Sequence, residues 1–327
     1  MKKLSIILPV YNVEQYIEKC IRSLEDQNVD KDHYEILVID DGSPDCSSMI
    51  VEKLQKEFSN ITMYHKENGG LSSARNYGIE RARGKYCWFV DSDDYIEKDV
   101  LKELLFQLET DDLDYIGFII YDVRGENRRN GFEGIERPVD VISGLEYVKK
   151  YHIAQSACVH ILRTEIYQKY NLRFIEGIIH EDYEFVLRMY KFCRRMKFVD
   201  LPVYNYIIKE SGSITSIKSY AQNKRSFDSW YVIIDSLQNY FKNSSDIYAH
   251  YAYSWINNYK YVALTNLLVK PFPFENKKKV YRQYKSIGIF KIGSNHLTLK
   301  RKLRTWIYRI PFIYLGFMYL LNKKYGE

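Results

Sequence analysis

Ten residues, "KYCWFVDSDD" at Lys85–Asp94, constrain the rest of the chain. Tyr86, Cys87, Trp88, Phe89 and Val90 form an unbroken apolar run with Gly84 behind it and charge ahead, the pattern of a strand buried on both faces of a parallel sheet. The run ends in acid. Asp91, Asp93 and Asp94 crowd its carboxyl end, the edge where open α/β sheets bind ligands. Carboxylates this close repel one another unless something positive sits among them. A hard divalent cation, Mg²⁺ or Mn²⁺, would meet that need and would also engage a nucleotide diphosphate. Taken alone, "DSDD" fits equally well a polar turn that caps the next helix, because Asp and Ser are common there.

The segments before it repeat the theme. Leu4–Leu8 reads as a short strand closed by Pro9, and Asn12 can cap a helix on which Val13, Ile17, Ile21 and Leu24 recur at helical spacing. Tyr11, in the loop between, can stack on a nucleobase or simply pack on the sheet. Tyr34–Ile39 is a second strand, and it too runs into carboxylates, Asp40 and Asp41, ahead of the turn Gly42-Ser43-Pro44. These can accept hydrogen bonds from a uracil N–H or a ribose hydroxyl, or can cap the loop. A helix from about Ser47 carries Ile50, Leu54 and Phe58, and Ile61–Tyr64 is a third strand.

In "ENGGLSSARNYGIERARGK", Gly69-Gly70 permits close backbone approach, Ser72 or Ser73 can cap, and Ala74 to Ala82 continues as helix. Arg75, in the first turn, would point toward the strand ends, where a planar cation suits a diphosphate or a base carbonyl; an arginine there is also commonly a surface residue. After "DSDD", Leu101, Leu104, Leu105 and Leu108 mark a helix and Tyr115–Tyr121 a strand. The alternation β-α-β-α-β-α-β-α-β implies a mostly parallel sheet covered by helices. Asp122–Asp140, polar and glycine-containing, reads as a flexible excursion near the site mouth.

A further acidic point lies in "IIHEDYEFVLRMY", where Glu181 and Asp182 head a helix with Phe185, Val186 and Met189 facing inward; acid in a first turn also suits the helix dipole by itself. "YNYIIKESGSITS" (Tyr204–Ser216) joins a strand-like run to a Gly-Ser turn, readable as a mobile loop that closes over a phosphate. Five scattered cysteines without C-x-x-C spacing point to reduced thiols, not to disulfides or zinc. "MKKLSIILPVYN" runs straight into a strand pattern with no apolar signal core or cleavage site, so the expected location is cytoplasmic.

"ILPVYN", "VIDDGSPD", "ENGGLSSARNYGIERARGKY", "DSDD" and "HEDYEF", in that order and over about the first two-thirds of the chain, resemble family-2 glycosyltransferases of the GT-A fold, of the bacterial capsule, exopolysaccharide and O-antigen assembly type. The resemblance implies an α/β, Rossmann-like sheet that holds a nucleotide-sugar, UDP-linked in the expected case. It assigns donor binding to Pro9, Tyr11, Asp40, Asp41, Arg75, Asp91 and Asp93. Asp91 and Asp93 match the D-x-D pair that grips ribose and metal, with Asp94 beside them, and Asp182 matches the catalytic base, with Glu181 as its neighbour. Inverting transfer needs a stabilised leaving group and a base opposite it for the acceptor hydroxyl. Mn²⁺ or Mg²⁺ on Asp91 and Asp93, helped by Lys209, would serve the first need and Asp182 the second. One departure stands out: where the family often has W-x-K/N-L-Y/F-R/K, "ACVHILR" places Cys158 and His160, and His160 fits either a core histidine or a sugar contact.

From Tyr220 onward 18 Lys+Arg face 5 Asp+Glu, a balance of +13, against −7 for the chain before it. A length of 327 residues allows a main domain and a smaller one. The division expected is a catalytic domain over 1–218 and a helical, basic, aromatic region over 219–327. The apolar run Pro311–Leu321 falls short of the ~20 residues that a bilayer span needs, so it reads as a segment lying in the membrane surface. A solvated helical subdomain is the other reading. The expected function is transfer of a hexosyl or N-acetylhexosaminyl group to a saccharide or lipid-linked glycan, at the inner face of the cell membrane, with no nucleic-acid partner and with homo-oligomer formation left open. A sugar nucleotidyltransferase and a non-catalytic nucleotide-sugar-binding protein are the rivals. The first of these would want a glycine-rich basic loop where "PVYNVEQY" stands.

Overall fold

The computed structural model describes residues 2–209, 219–293, 304–306 and 308–325. They form two compact units, one of Met1–Gly177 with Phe185–Lys209 and one of Ile178–Glu184 with the chain from Glu210 on.

The first unit is α/β. Strands β1 (Leu4–Val10), β2 (Tyr34–Asp40) and β4 (Tyr86–Phe89) are buried at every position, as uninterrupted apolar runs require, and β3 (Ile61–His65) lies beside β2. Helices α1 (Ile17–Glu25), α2 (Ser47–Glu57) and α3 (Leu71–Ile79) connect them, so β3-β2-β1-β4 is parallel throughout. Gly84 lets β4 start against β1, because a Cβ there would sit 2.5 Å from the backbone of Leu4 and Ser5. Helix α1 begins at Ile17, later than an Asn12 cap implies, since Asn12 takes a positive φ of 55° in the loop and Tyr16 occupies the cap position.

Beyond β4 the sheet becomes mixed. After β5 (Tyr95–Ile96) and α4 (Leu101–Thr110), strand β6 (Tyr115–Arg124) pairs antiparallel with β8 (His160–Arg163), and β8 pairs antiparallel with β4. The twelve-residue β9 (Met196–Ile207) runs parallel to β6 and antiparallel to β5. The start of the stretch read as a flexible excursion is in fact paired: β6 continues to Arg124 and turns at Gly125 (φ 57°) into β7 (Asn127–Asn130). Its charged side chains disguise an edge hairpin, whose solvent-facing positions need no apolar pattern. Helices α5 (Gly144–Lys150) and α6 (Thr164–Lys169) follow along the chain; α5 carries a Ser143/Glu146 capping box. The core gathers around Trp88, whose ring meets Phe118 edge to face at 5.3 Å and whose Nε1 donates to Cys158 O. All five cysteines are free thiols.

Helix α7 (Glu181–Met189) belongs to the second unit by its first turn and to the first by Phe185–Met189. The second unit is otherwise helical. Among the described residues its longer helices are α8 (Tyr220–Phe241), α9 (Ile247–Val269), α10 (Phe274–Ser286) and α11 (Pro311–Tyr325). Ser219 and Asp246 cap α8 and α9 in the usual way. Phe227, Trp230, Ile233, Ile234 and Leu237 of α8 and Ile256, Tyr259, Leu264 and Leu267 of α9 form its interior, and Tyr314 of α11 closes it by donating to Leu264 O at 2.7 Å. No helix among the described residues is long and apolar enough to cross a membrane.

Candidate active site

The carboxyl ends of β1, β2 and β4 bring Pro9, Tyr11, Asp40, Asp41 and the "DSDD" turn to one edge of the first unit. Pro9 is buried within β1 opposite Ile39, and Tyr11, half exposed, stands just past the strand.

Each carboxylate has found a different partner. Asp40 is buried and accepts from the Ser43 N–H, the Ser48 hydroxyl and His65 Nδ1, so it braces the loop after β2. Burial alone would raise its pKa, but the bonds from Ser48, Ser43 and His65 outweigh this and hold it below the usual carboxylate range. Asp41 accepts from the N–H groups of Gly69 (3.0 Å) and Gly70 (2.7 Å) and pairs with Lys66 at 2.5 Å. Gly70 sits at φ 84° as it enters α3, a conformation that a side chain would resist, and so the glycine pair is what places two N–H groups on Asp41. Asp41 Oδ2 takes one of these bonds and has lone-pair capacity for another donor.

Arg75 lies inside the fold, 1% exposed, and donates from Nη2 to Asp91 Oδ1 at 3.0 Å, with the Cys158 sulfur 3.9 Å away. Asp93 pairs with Lys209 at 2.6 Å, and the ammonium also lies over the Tyr16 ring. Asp94 turns inward. It is 2% exposed and accepts from the Tyr204 hydroxyl and the Ile207 N–H, both at 2.7 Å, while Tyr204 Oη accepts the Asp91 N–H. Burial, reinforced by the charges of Asp91 and Asp93, drives the Asp94 pKa well above the carboxylate range. The turn is thus latched to β9 through a shared Tyr204 hydroxyl.

Lys66, His65, Tyr204 and the amides of Gly69 and Gly70 escape the sequence reading as site groups. The glycines carried a signal, and the others did not. His160 is buried in β8 and stacked on Tyr115 at 4.8 Å. Desolvation lowers its pKa to about 3. In the second unit, Glu181 is buried and Asp182 half-buried in the first turn of α7. Of the loop read as Tyr204–Ser216, Tyr204–Ile207 is strand and Ile208 and Lys209 follow it; the remainder lies outside the described residues.

Among the described residues no group of three or more His, Cys, Asp or Glu side chains is arranged to hold a metal. Mg²⁺ and Mn²⁺ bound with a nucleotide commonly take only one or two protein carboxylates and the phosphates. Asp91 and Asp93 fit that smaller role, since Asp91 meets Arg75 through Oδ1 and Asp93 meets Lys209 through Oδ2, and the second oxygen of each lies outside these ion pairs.

A profile of glycosyl transferase family 2 matches residues 5–170. The chain belongs to that family. The family-2 match takes in Pro9, Tyr11, Asp40, Asp41, Arg75, Asp91, Asp93 and Asp94. Among curated relatives, the uncharacterized glycosyltransferase EpsJ of Bacillus subtilis (strain 168) is 35% identical over 65% of this chain and 63% of its own, and the minor teichoic acid biosynthesis protein GgaB of the same organism is 29% identical over 74% of this chain and 26% of its own. This family-2 chain therefore spans less than two thirds of either relative. The crystal structure of S. aureus TarS 1–349 in complex with UDP-GlcNAc superposes with a TM-score of 0.78 at 22% identity, covering 98% of this chain and 92% of that one, and it shares the fold.

Proposed function

We propose that this glycosyltransferase moves a sugar from a UDP-linked donor to a hydroxyl of a cell-surface glycan or glycan precursor, with inversion at the anomeric carbon. One observation carries the reading: Asp41, Asp91 and Asp93 stand at adjacent strand ends, each held by a cation and each with acceptor capacity left over. Tyr11 and Asp41 suit the base, Arg75 and Asp91 the ribose and diphosphate. A divalent cation carried by the diphosphate would complete its coordination on Asp93 and Asp91 and stabilise charge on the leaving group. Asp182 acts as the base that deprotonates the acceptor. The relatives' names support this reading: TarS of Staphylococcus aureus is a poly(ribitol-phosphate) beta-N-acetylglucosaminyltransferase, its structure holds UDP-GlcNAc, and a mannosyltransferase of similar fold carries Mn²⁺.

The second unit would rest on an anionic membrane surface. Phe312, Phe317, Tyr319 and Leu320 leave one side of α11 apolar and exposed, Trp306 is exposed nearby in sequence, and the region carries a +13 balance. The deciding experiment measures UDP release across UDP-glucose, UDP-galactose, UDP-GlcNAc and UDP-GalNAc, with Mn²⁺ and with EDTA. The reading expects release from at least one donor, lost in Asp93→Ala and in Asp182→Asn. Turnover undiminished in both variants would refute it. Pyrophosphate release from a nucleoside triphosphate and sugar phosphate would favour a nucleotidyltransferase instead.

A further inference from the structure

The segment Ile178–Glu184 groups with the helical unit although it lies far from it in sequence, and α8 supplies the reason. Ser226, Ser229, Trp230 and Ser236 share one side of α8, as spacings of three, four and about seven residues require. All four meet this segment. The Ser229 hydroxyl donates back to Arg225 O at 2.7 Å, which leaves its lone pair to accept the Ile179 N–H at 3.0 Å. His180 Nε2 lies 3.3 Å from Ser226 Oγ, and its ring stacks on Trp230 at 5.4 Å. Tyr183 meets the Trp230 ring edge to face at 5.1 Å and Tyr259 of α9 at 5.2 Å. Ser236 donates to Glu184 Oε1 at 2.9 Å.

These contacts bracket Asp182 on both sides. Residues 179 and 180 are fixed before it, 183 and 184 after it. His180 is also held at φ 65°, a left-handed conformation that persists in a non-glycine residue only where its surroundings impose it. The Trp230 stack and the Ser226 contact are those surroundings. Simple packing of a helix start would not call for polar contacts from three serines together with a strained residue two positions before an acid.

We infer that α8 is a positioning element for the catalytic step: Ser229, Trp230 and Ser236 set the placement and rotation of the first turn of α7, and with it the Asp182 carboxylate. This rests on the reading of Asp182 as the base. The helical unit then contributes to chemistry as well as to any membrane contact, and its loss of order would appear in kcat and not in donor affinity.

The test uses the full chain, the most actively hydrolysed donor of the UDP-sugar panel, and water as acceptor. Ser229→Ala with Ser236→Ala is expected to lower kcat about tenfold or more, to leave donor KM and the Kd for UDP within about twofold, and to shift the acidic limb of the kcat pH profile, where a general base must lose its proton. Ser236→Thr, which keeps the hydroxyl, should restore most of the rate. Leu264→Ala in α9 supplies a destabilised control whose kcat stays near wild type at a temperature well below its melting point. If the double variant does not fold, Ser236→Ala alone carries the same expectation, reduced to a few-fold. A kcat within twofold of wild type in a folded serine variant, with Asp182→Asn inactive, overturns the inference while leaving the base intact. An active Asp182→Asn overturns both.

Discussion

Replacing His160 with Phe tests whether the histidine that departs from the family's usual stretch is a core residue or a ligand contact. In the fold the ring is 1% exposed and stacked on Tyr115, and desolvation holds its pKa at about 3 against an ordinary 6.5. The folded state therefore keeps the imidazole neutral, whereas the unfolded chain protonates it as pH falls through 6.5. Stability supplied by this site is complete above about pH 6.5 and is lost progressively down to about pH 3. At pH 5 the unfolded state is favoured by about 1.5 pH units' worth of proton binding, or ~2 kcal/mol, and at pH 7 by ~0.2 kcal/mol. Phe keeps the shape and the stack but cannot bind the proton. The cost or gain of the swap itself is nearly independent of pH, so it cancels when urea unfolding of wild type and His160→Phe is compared at pH 7 and at pH 5. The variant should gain ~2 kcal/mol on wild type between those two values, with donor KM unchanged. The acid loss contributed by His180, whose pKa burial lowers to about 4, is common to both proteins and also cancels. Parallel stability curves, or a tenfold rise in donor KM, would refute the buried neutral histidine and return His160 to the ligand.

Tyr204→Phe strips the hydroxyl that joins the Asp91 N–H to the Asp94 carboxylate; the buried carboxylate and the partly buried N–H both lose a partner, so unfolding free energy should drop by ~1–3 kcal/mol and UDP binding measured by calorimetry should weaken as the "DSDD" turn loosens. Gly84→Ala pushes a Cβ to 2.5 Å from the Leu4 and Ser5 backbone, and since that contact is the β1–β4 junction the urea midpoint should fall by an amount worth at least ~1–3 kcal/mol; an unchanged midpoint would contradict the close approach. Serine at Phe312, Phe317 and Leu320 together should abolish co-sedimentation with vesicles rich in anionic lipid while leaving UDP release in solution intact, and equal pelleting of the variant would rule out α11 as the contact.

The strands that set the site were readable because burial on both faces leaves a chain little choice. "LSIILPV", "YEILVID" and "YCWF" have no polar face to offer, and each ends where the sheet ends. The glycine pair was readable for the same kind of reason, since only glycine enters α3 at φ 84° without cost. β8 was not. "HILR" is too short to show a period, and its antiparallel place between β4 and β6 follows from tertiary pairing, not from its own residues. Nor could the sequence divide labour among the aspartates of "DSDD". Asp93 and Asp94 are neighbours in the chain, yet one meets a lysine and the other a buried tyrosine 110 residues away, a choice made by which side of the turn faces β9.

That division alters the electrostatic argument from which the acidic turn first drew attention. Crowded carboxylates need positive charge, and a metal is one source of it. In this fold Lys66, Arg75 and Lys209 already supply three cations, to Asp41, Asp91 and Asp93 in turn, and Asp94 is relieved by a raised pKa and two hydrogen bonds. Each of these four acids therefore has its own relief within the fold, so their crowding alone does not call for a metal. Among the described residues each of Asp91 and Asp93 keeps one carboxylate oxygen outside its ion pair, and on the proposed reading these two oxygens would serve a cation whose other ligands are phosphate oxygens. On the proposed reading the cation and the diphosphate would bind together, because neither alone would complete the coordination that the two carboxylates begin.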